Sequence, residues 1–135
     1  MKAIFDTRAG SEYDDDIVER YHFPNRYLDE AKKAVGDWII YREPRRGGGR
    51  QAYVAMALMQ QIDPAPAPAR PDHSYARLSN FQLFDHVVPL KHAGGFYERQ
   101  LNFVPATRRG ASLQGKSIRV ISDAEWNANV DNWLP

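Results

Sequence analysis

Along this chain the apolar positions recur mostly with a period of two, and twice with a period near 3.6, which divides it into short strands and two helices. Lys2 to Arg8 reads as a first strand, with Ile4 and Asp6 on one side and Ala3 and Phe5 on the other. Ala9-Gly10-Ser11 is a turn, and Tyr13-Asp14-Asp15-Asp16 is too polar and too short for a buried element, so an exposed loop is expected. Tyr21-His22-Phe23-Pro24 leads into a helix whose first turn suits Pro24, because the missing N–H would have been unpaired there anyway. Tyr27, Leu28, Ala31 and Val35 share one face of that helix, its acids come early and its lysines late, and Gly36 stands where it should stop. Gly36-Asp37 then turns the chain into Trp38-Ile39-Ile40-Tyr41, which is apolar on both alternating faces and predicts a strand buried on two sides, as in a small barrel.

Beyond Arg50 the pattern is less clean. Gln51 to Ile62 has the Ala, Met and Leu content of a helix, but it begins Tyr53-Val54 after a glycine-rich connection and is read as a long strand. Asp63 to Asp72 alternates with proline, so it lacks the N–H groups of a ladder and is expected to be an extended surface loop. His73 to Leu78 and Asn80 to Pro89 read as two further strands, with Tyr75, Leu78, Phe81, Leu83 and Val87 as inward candidates. Lys91 to Gly95 is a loop, Gly95 to Leu101 a helical turn, and Thr107 to Gly115 a second loop. Lys116 to Ile121 alternates as a strand should, and Ser122-x-x-Glu125 is a capping box ahead of Trp126, Val130 and Trp133 at helical spacing. Five or six strands with a helix near each end describe a small mixed α/β barrel in one domain, residues 1–135.

Composition changes this picture little: the chain is 43% hydrophobic and 26% charged, as a globular domain is, and no apolar run approaches the ~20 residues of a membrane span. An acid at Asp6, where a signal peptide would hold its apolar segment, points to the cytoplasm. The absence of cysteine excludes disulfides, thiol nucleophiles and cysteine-ligated zinc. Charge changes it more. The formal net charge is only +1, but the signs are segregated: arginines crowd Arg42 to Arg50 and basic residues crowd Lys91 to Arg119, while acids cluster at Glu12 to Asp16 and near the end. If the basic stretches share a face, they form a positive stripe suited to nucleic acid; if not, they are solvated loop charges.

Several strings are familiar in combination. Tyr13-Asp14-Asp15 followed by Tyr21-His22-Phe23-Pro24, then Gly36-Asp37-Trp38-Ile39-Ile40-Tyr41-Arg42-Glu43-Pro44-Arg45-Arg46 with Gly49-Arg50-x-x-Tyr53, and finally Gly115-Lys116-Ser117-Ile118-Arg119, resemble the N-terminal PUA-like domain of bacterial HNH endonucleases. The resemblance spans almost the whole chain. It implies a mixed β-pseudobarrel of the superfamily that includes SRA, EVE, YTH and ASCH domains, several of which flip a modified base into an aromatic pocket. It also implies a C-terminal HNH module that cuts. The chain departs from that arrangement, because it ends at Asn132-Trp133-Leu134-Pro135, after the closing helix.

A reader of extruded bases needs flat side chains around the base, a polar group on its Watson–Crick edge and cations for the flanking phosphates. Tyr21, Phe23, Trp38, Tyr41 and Tyr53 qualify as flat surfaces; core packing is the alternative for each and the better account of Trp38 and Tyr53, while Tyr21 and Tyr41, at element ends, suit a pocket best. His22 suits a donor to base or phosphate, or a satisfied structural histidine. Asp15 is the carboxylate best suited to accept from a cytosine amino group. Asp37, after a helix-stopping glycine, reads as a turn residue. Arg45, Arg46 and Arg50 flank the triple glycine and are the leading phosphate contacts, with Arg108 and Arg109 extending the path. Arg119 lies within a strand and suits an acid in the fold equally well. Catalysis is poorly supported: the four histidines have no HExxH or HNH-like spacing, no G-x-S-x-G occurs, the glycine loop lacks the lysine and hydroxyl of a P-loop, and neither a metal site nor a cofactor is indicated. The expected partner is therefore DNA carrying a modified base, with an RNA reader, a small ASCH-type enzyme acting on nucleosides, or a protein-interaction module as the alternatives.

Overall fold

A computed structural model describes residues 1–7, 18–43, 52–64, 72–89, 91–92, 95–98 and 117–127. Its strands are β1 (Ala3–Asp6), β2 (Arg20–Pro24), β3 (Trp38–Glu43), β4 (Ala52–Pro64), β5 (His73–Pro89), β6 (Lys91–His92), β7 (Gly95–Phe96) and β8 (Ile118–Val120). A 3-10 turn over Asn25–Tyr27 runs into helix α1 (Leu28–Ala34), and residues 123–127 are again helical. Six strands form one mixed sheet in the order β2-β5-β4-β3-β1-β8, in which β1 and β3 are parallel and all other neighbours antiparallel. Strands β6 and β7 pair as a small separate hairpin.

The sheet curls into the half-barrel of a PUA-like pseudobarrel. One hydrogen bond measures the curl. The Tyr21 hydroxyl donates to the backbone oxygen of Asp6 across 2.6 Å, so β2 at one edge meets β1 near the other although three strands lie between them in the sheet. Breaks in register supply the bending, since an extra residue in one strand kinks it and increases its twist. Val54 is extra in β4 against Tyr41 and Arg42 of β3, Asn80 and Phe81 of β5 face Ala57 alone, and four residues of β5 intervene between Leu83 and Val88.

Both faces of the central strands are covered. Ala3, Phe5, Ile39 and Tyr41 belong to an inner cluster with Tyr21, Phe23 and the Ala31 and Ala34 side of α1. Ile4 and Ile40 belong to an outer cluster with Tyr53, Met56, Tyr97 and Trp126. The doubly buried strand expected at 38–41 is therefore present, with Ile39, Ile40 and Tyr41 fully buried. Gly36 ends the helix at φ 85°, and the turn is tied to β4 by Gly36 N–H to Met59 O and Met59 N–H to Asp37 O. Asp37 is a turn residue, accepting from the Trp38 N–H at 2.8 Å. The Ser122 half of the expected capping box is formed, its hydroxyl accepting from the Glu125 N–H.

Other expectations need correction. Residues 20–24 form a strand rather than a lead-in, because β5 offers a full antiparallel partner from Arg20↔Arg77 to Pro24↔His73. The helix is shorter than expected: it ends at Ala34, which is buried with Tyr27 and Ala31, and Val35 has left helical geometry at ψ 130° and is 42% exposed. The two strands read at 73–78 and 80–89 are one, since Asn80 takes φ 53° and absorbs an extra residue without leaving the sheet. Tyr75 is not inward: it faces His22 and Arg20. In place of the loop expected at 91–95 and the helical turn expected at 95–101, the described residues form the β6-β7 pair, Lys91↔Phe96 and His92↔Gly95; residues 93–94 and 99–101 lie outside the described residues. The acidic loop around Asp15, both arginine loops and the end of the closing helix lie outside the described residues.

Candidate functional site

The concave interior carries a set of rings from four strands. Phe5 of β1 lies 4.8 Å from Tyr21 of β2 and 6.4 Å from Tyr41 of β3, centroid to centroid. Tyr21 lies 6.4 Å from Phe23 and 6.3 Å from Tyr41, and Tyr41 lies 5.9 Å from Phe81 of β5. These are spacings of offset and edge-on contact. Alternation puts the rings there: Phe5 and Tyr41 pair across β1 and β3, and Tyr21 and Phe23 are two residues apart on β2. Facing them from β4 and β5 are Ala55, Ala57 and Ala76, all fully buried, whose small side chains leave the volume that the rings occupy.

Of the residues singled out in the sequence, Tyr21, Phe23 and Tyr41 are brought together in this interior and are nearly inaccessible, Tyr21 being the most exposed of the three at 4%. Trp38 is not with them; it is half-buried on the opposite face and packs against the outer cluster. His22 also faces away. It is buried, its Nε2 is 3.0 Å from His73 Nδ1, and its ring lies 4.9 Å from that of Tyr75. Asp15, Arg45, Arg46, Arg50, Arg108 and Arg109 lie outside the described residues.

Behind the rings, on the outer face, is a buried charge network. The Asp6 carboxylate accepts from Arg42 Nη1 at 3.1 Å to both oxygens, and from Arg119 Nη1 and Nη2 at 3.0 and 3.1 Å. Arg119 also forks onto Glu98, Nε at 2.6 Å and Nη2 at 3.1 Å, and the Tyr53 hydroxyl donates to Glu98 at 2.8 Å. Two carboxylates and two guanidiniums cancel, which makes burial of all four tolerable. Burial by itself would raise the Glu98 carboxyl, but the charge and hydrogen bonds of Arg119, with the Tyr53 hydroxyl and the Arg42 charge, outweigh it and hold Glu98 below the usual carboxylate range. Burial and then the Glu98 charge push the Tyr53 phenol well above its ordinary value. Arg119 is raised by Glu98 and Asp6 against the opposing effect of burial. Among the described residues one buried side-chain polar atom has no hydrogen bond, Arg42 Nε.

This network answers the alternative left open for Arg119, which pairs with acids of the fold. The wider set was not foreseen, although a signal existed. Asp6, Arg42 and Arg119 each continue the buried alternation of a strand, positions where a charge needs an opposite partner. Among the described residues no group of three or more His, Asp or Glu side chains is placed to hold a metal ion. Nor is any helix there long and apolar enough to cross a membrane.

The half-barrel with its inner rings places the chain in the PUA-like fold class. Within that class it is similar to the N-terminal domain of McrB from Staphylothermus marinus, with TM-score 0.58, 10% identity, and coverage of 96% of this chain and 93% of that one. A protein from Pseudomonas syringae superposes with TM-score 0.59 at 11% identity over 99% of this chain and 100% of its own. Another from Rhodopseudomonas palustris gives 0.56 at 13% identity, over 94% of this chain and 88% of its own. No family model and no curated protein sequence matches the chain. At these identities the likeness is one of fold.

Proposed function

We propose that this domain reads DNA by capturing one extruded, modified base, with modified cytosine the leading candidate. In this reading it senses the modification for a C-terminal HNH nuclease module of a longer protein. The observation that carries the reading is the grouping of Phe5, Tyr21, Tyr41 and Phe81 on the concave side of a curled sheet, at ring separations from 4.8 to 6.4 Å. Flat aromatic faces are the sequence-tolerant means of holding a base outside its stack. The fold shared with the McrB N-terminal domain supports it.

In this reading Tyr21, Phe23 and Tyr41 form the fixed walls, and Asp15 accepts from the exocyclic amino group. Arg45, Arg46 and Arg50, with Arg108 and Arg109, hold the neighbouring phosphates. His22 and Trp38 support the walls from behind rather than touching the base, because both face the other side of their strands. The test is a fluorescence anisotropy titration with matched duplexes carrying 5-methylcytosine, 5-hydroxymethylcytosine or unmodified cytosine at one position, and with an RNA duplex of the same sequence. At least one modified duplex should bind about tenfold or more tighter than the unmodified one, the size expected of one well-made base contact. Equal affinity for all four would reduce the binding to nonspecific electrostatics.

A further inference from the structure

The inner rings touch one another, so a base can be admitted only if one of them moves. Two rings that sandwich a base must lie parallel and about 6.8 Å apart, twice the roughly 3.4 Å stacking distance of nucleic acid. Tyr41 and Phe81 are 5.9 Å apart and inclined at 51°. Because the rings are already in contact, admitting a base between them requires a movement in which Phe81 or Tyr41 turns parallel to the other and withdraws by the thickness of a base, roughly 3.4 Å.

Phe81 is the ring able to make it. Phe5, Tyr21, Phe23 and Tyr41 are almost fully buried, and Tyr21 is also pinned by its hydrogen bond to the Asp6 backbone. Phe81 is only half-buried and packs at the margin of the inner cluster. Its backbone is special as well. Ser79 pairs with Leu58 and Gln82 with Met56, so Asn80 and Phe81 together oppose the single residue Ala57, and Asn80 adopts φ 53°, a left-handed conformation rare outside glycine. That extra residue restores the alternation, so Phe81 faces inward when a regular strand would have turned it out. Opposite it stands only an alanine side chain. Two residues on, Leu83 pairs with Ala55, an inner-face residue, yet is 66% exposed, which marks this part of β5 as the boundary between interior and solvent.

We propose that residues 80–83 form the mouth of the aromatic interior, with Phe81 the mobile wall that swings to stack on the captured base against Tyr41, and Asn80 the positioning residue that aims it. This rests on the base-reading function proposed above. Phe81→Leu keeps the apolar volume but removes the flat face. It should lower affinity for the preferred cytosine-modified duplex about tenfold or more, the loss expected for one base–aromatic stack. Affinity for the unmodified duplex should fall less, so that discrimination narrows, and the salt dependence, which reports phosphate contacts, should stay as in wild type. Phe81→Tyr should retain wild-type discrimination. Asn80→Gly, which accepts the left-handed backbone, should also retain it, whereas Asn80→Val should lose it as Phe81→Leu does, thermal melts confirming that each variant is folded. If wild type discriminates and folded Phe81→Leu discriminates equally, the mobile wall is wrong while the reader survives. If wild type itself does not discriminate, both proposals fall together.

Discussion

Asp6 serves both faces of the sheet with different atoms. Its backbone oxygen fixes Tyr21 on the inner side, while its carboxylate binds Arg42 and Arg119 on the outer side. Tyr21→Phe removes one buried hydrogen bond and should cost about 1 kcal/mol in urea unfolding, without altering the fold. Glu98→Gln is a harsher change, because it leaves two guanidiniums against the single carboxylate of Asp6 in a buried site. About 3–5 kcal/mol of stability should be lost. The same residue predicts an acid limb. Glu98 is depressed in the folded state, so its contribution is complete above the unfolded carboxyl value near ~4.3 and is lost as pH falls from there through the lower folded value. The slope of stability against pH below about 4.3 should therefore be shallower in Glu98→Gln than in wild type, and parallel curves would remove Glu98 from the acid response.

At the scale of elements, the clearest test of a sequence signal is Gly36. Nothing lies within 4 Å of the position a Cβ would take there, so Gly36→Ala meets only the conformational penalty of φ 85°. A loss of about 1–2 kcal/mol is expected from chemical denaturation, with no change in the folded spectrum. Strand β3 was legible because its pattern is strong enough to be read without knowing its neighbours. Strand β4, with the Ala, Met and Leu content of a helix, was legible only from its Tyr53-Val54 start and the glycine-rich connection before it. Strand β2 was not, because Tyr21-His22-Phe23-Pro24 is short, ends in proline and precedes a helix, and only its pairing with β5 makes it a strand. The break read at Asn80 reflects the same limit. An asparagine between two apolar runs signals a turn locally, whereas the long partner β4 keeps the chain in the sheet and converts the turn into a bulge. The hairpin at 91–96 is too short to carry a pattern at all.

For the whole molecule the question is which charges a nucleic acid would feel. The sequence shows an arginine-rich run from Arg42 to Arg50 as one feature, but the fold removes its first member from the candidates for phosphate contact. Arg42 is buried and paired with Asp6, and with Arg119, Asp6 and Glu98 it belongs to a neutral quartet that adds nothing to the long-range field. Candidate site residues were legible as residue types, since rings and arginines are what base capture requires, but not as an arrangement. Whether Tyr21 and Tyr41 meet, and whether Arg42 is exposed, depends on curl and register. The two kinds of arginine then predict opposite behaviour in one experiment. Arg46→Ala should weaken binding to modified and unmodified duplexes alike and flatten the plot of log affinity against log salt by about 0.9 for the phosphate contact removed. Stability should stay within about 0.5 kcal/mol of wild type if Arg46 serves the phosphate and not the fold. Arg42→Met should instead lower stability by several kcal/mol, about 3–5 for a broken buried pair, and leave the salt slope of the folded fraction unchanged. A salt slope that responds to Arg42 and not to Arg46 would mean that the phosphates are held elsewhere.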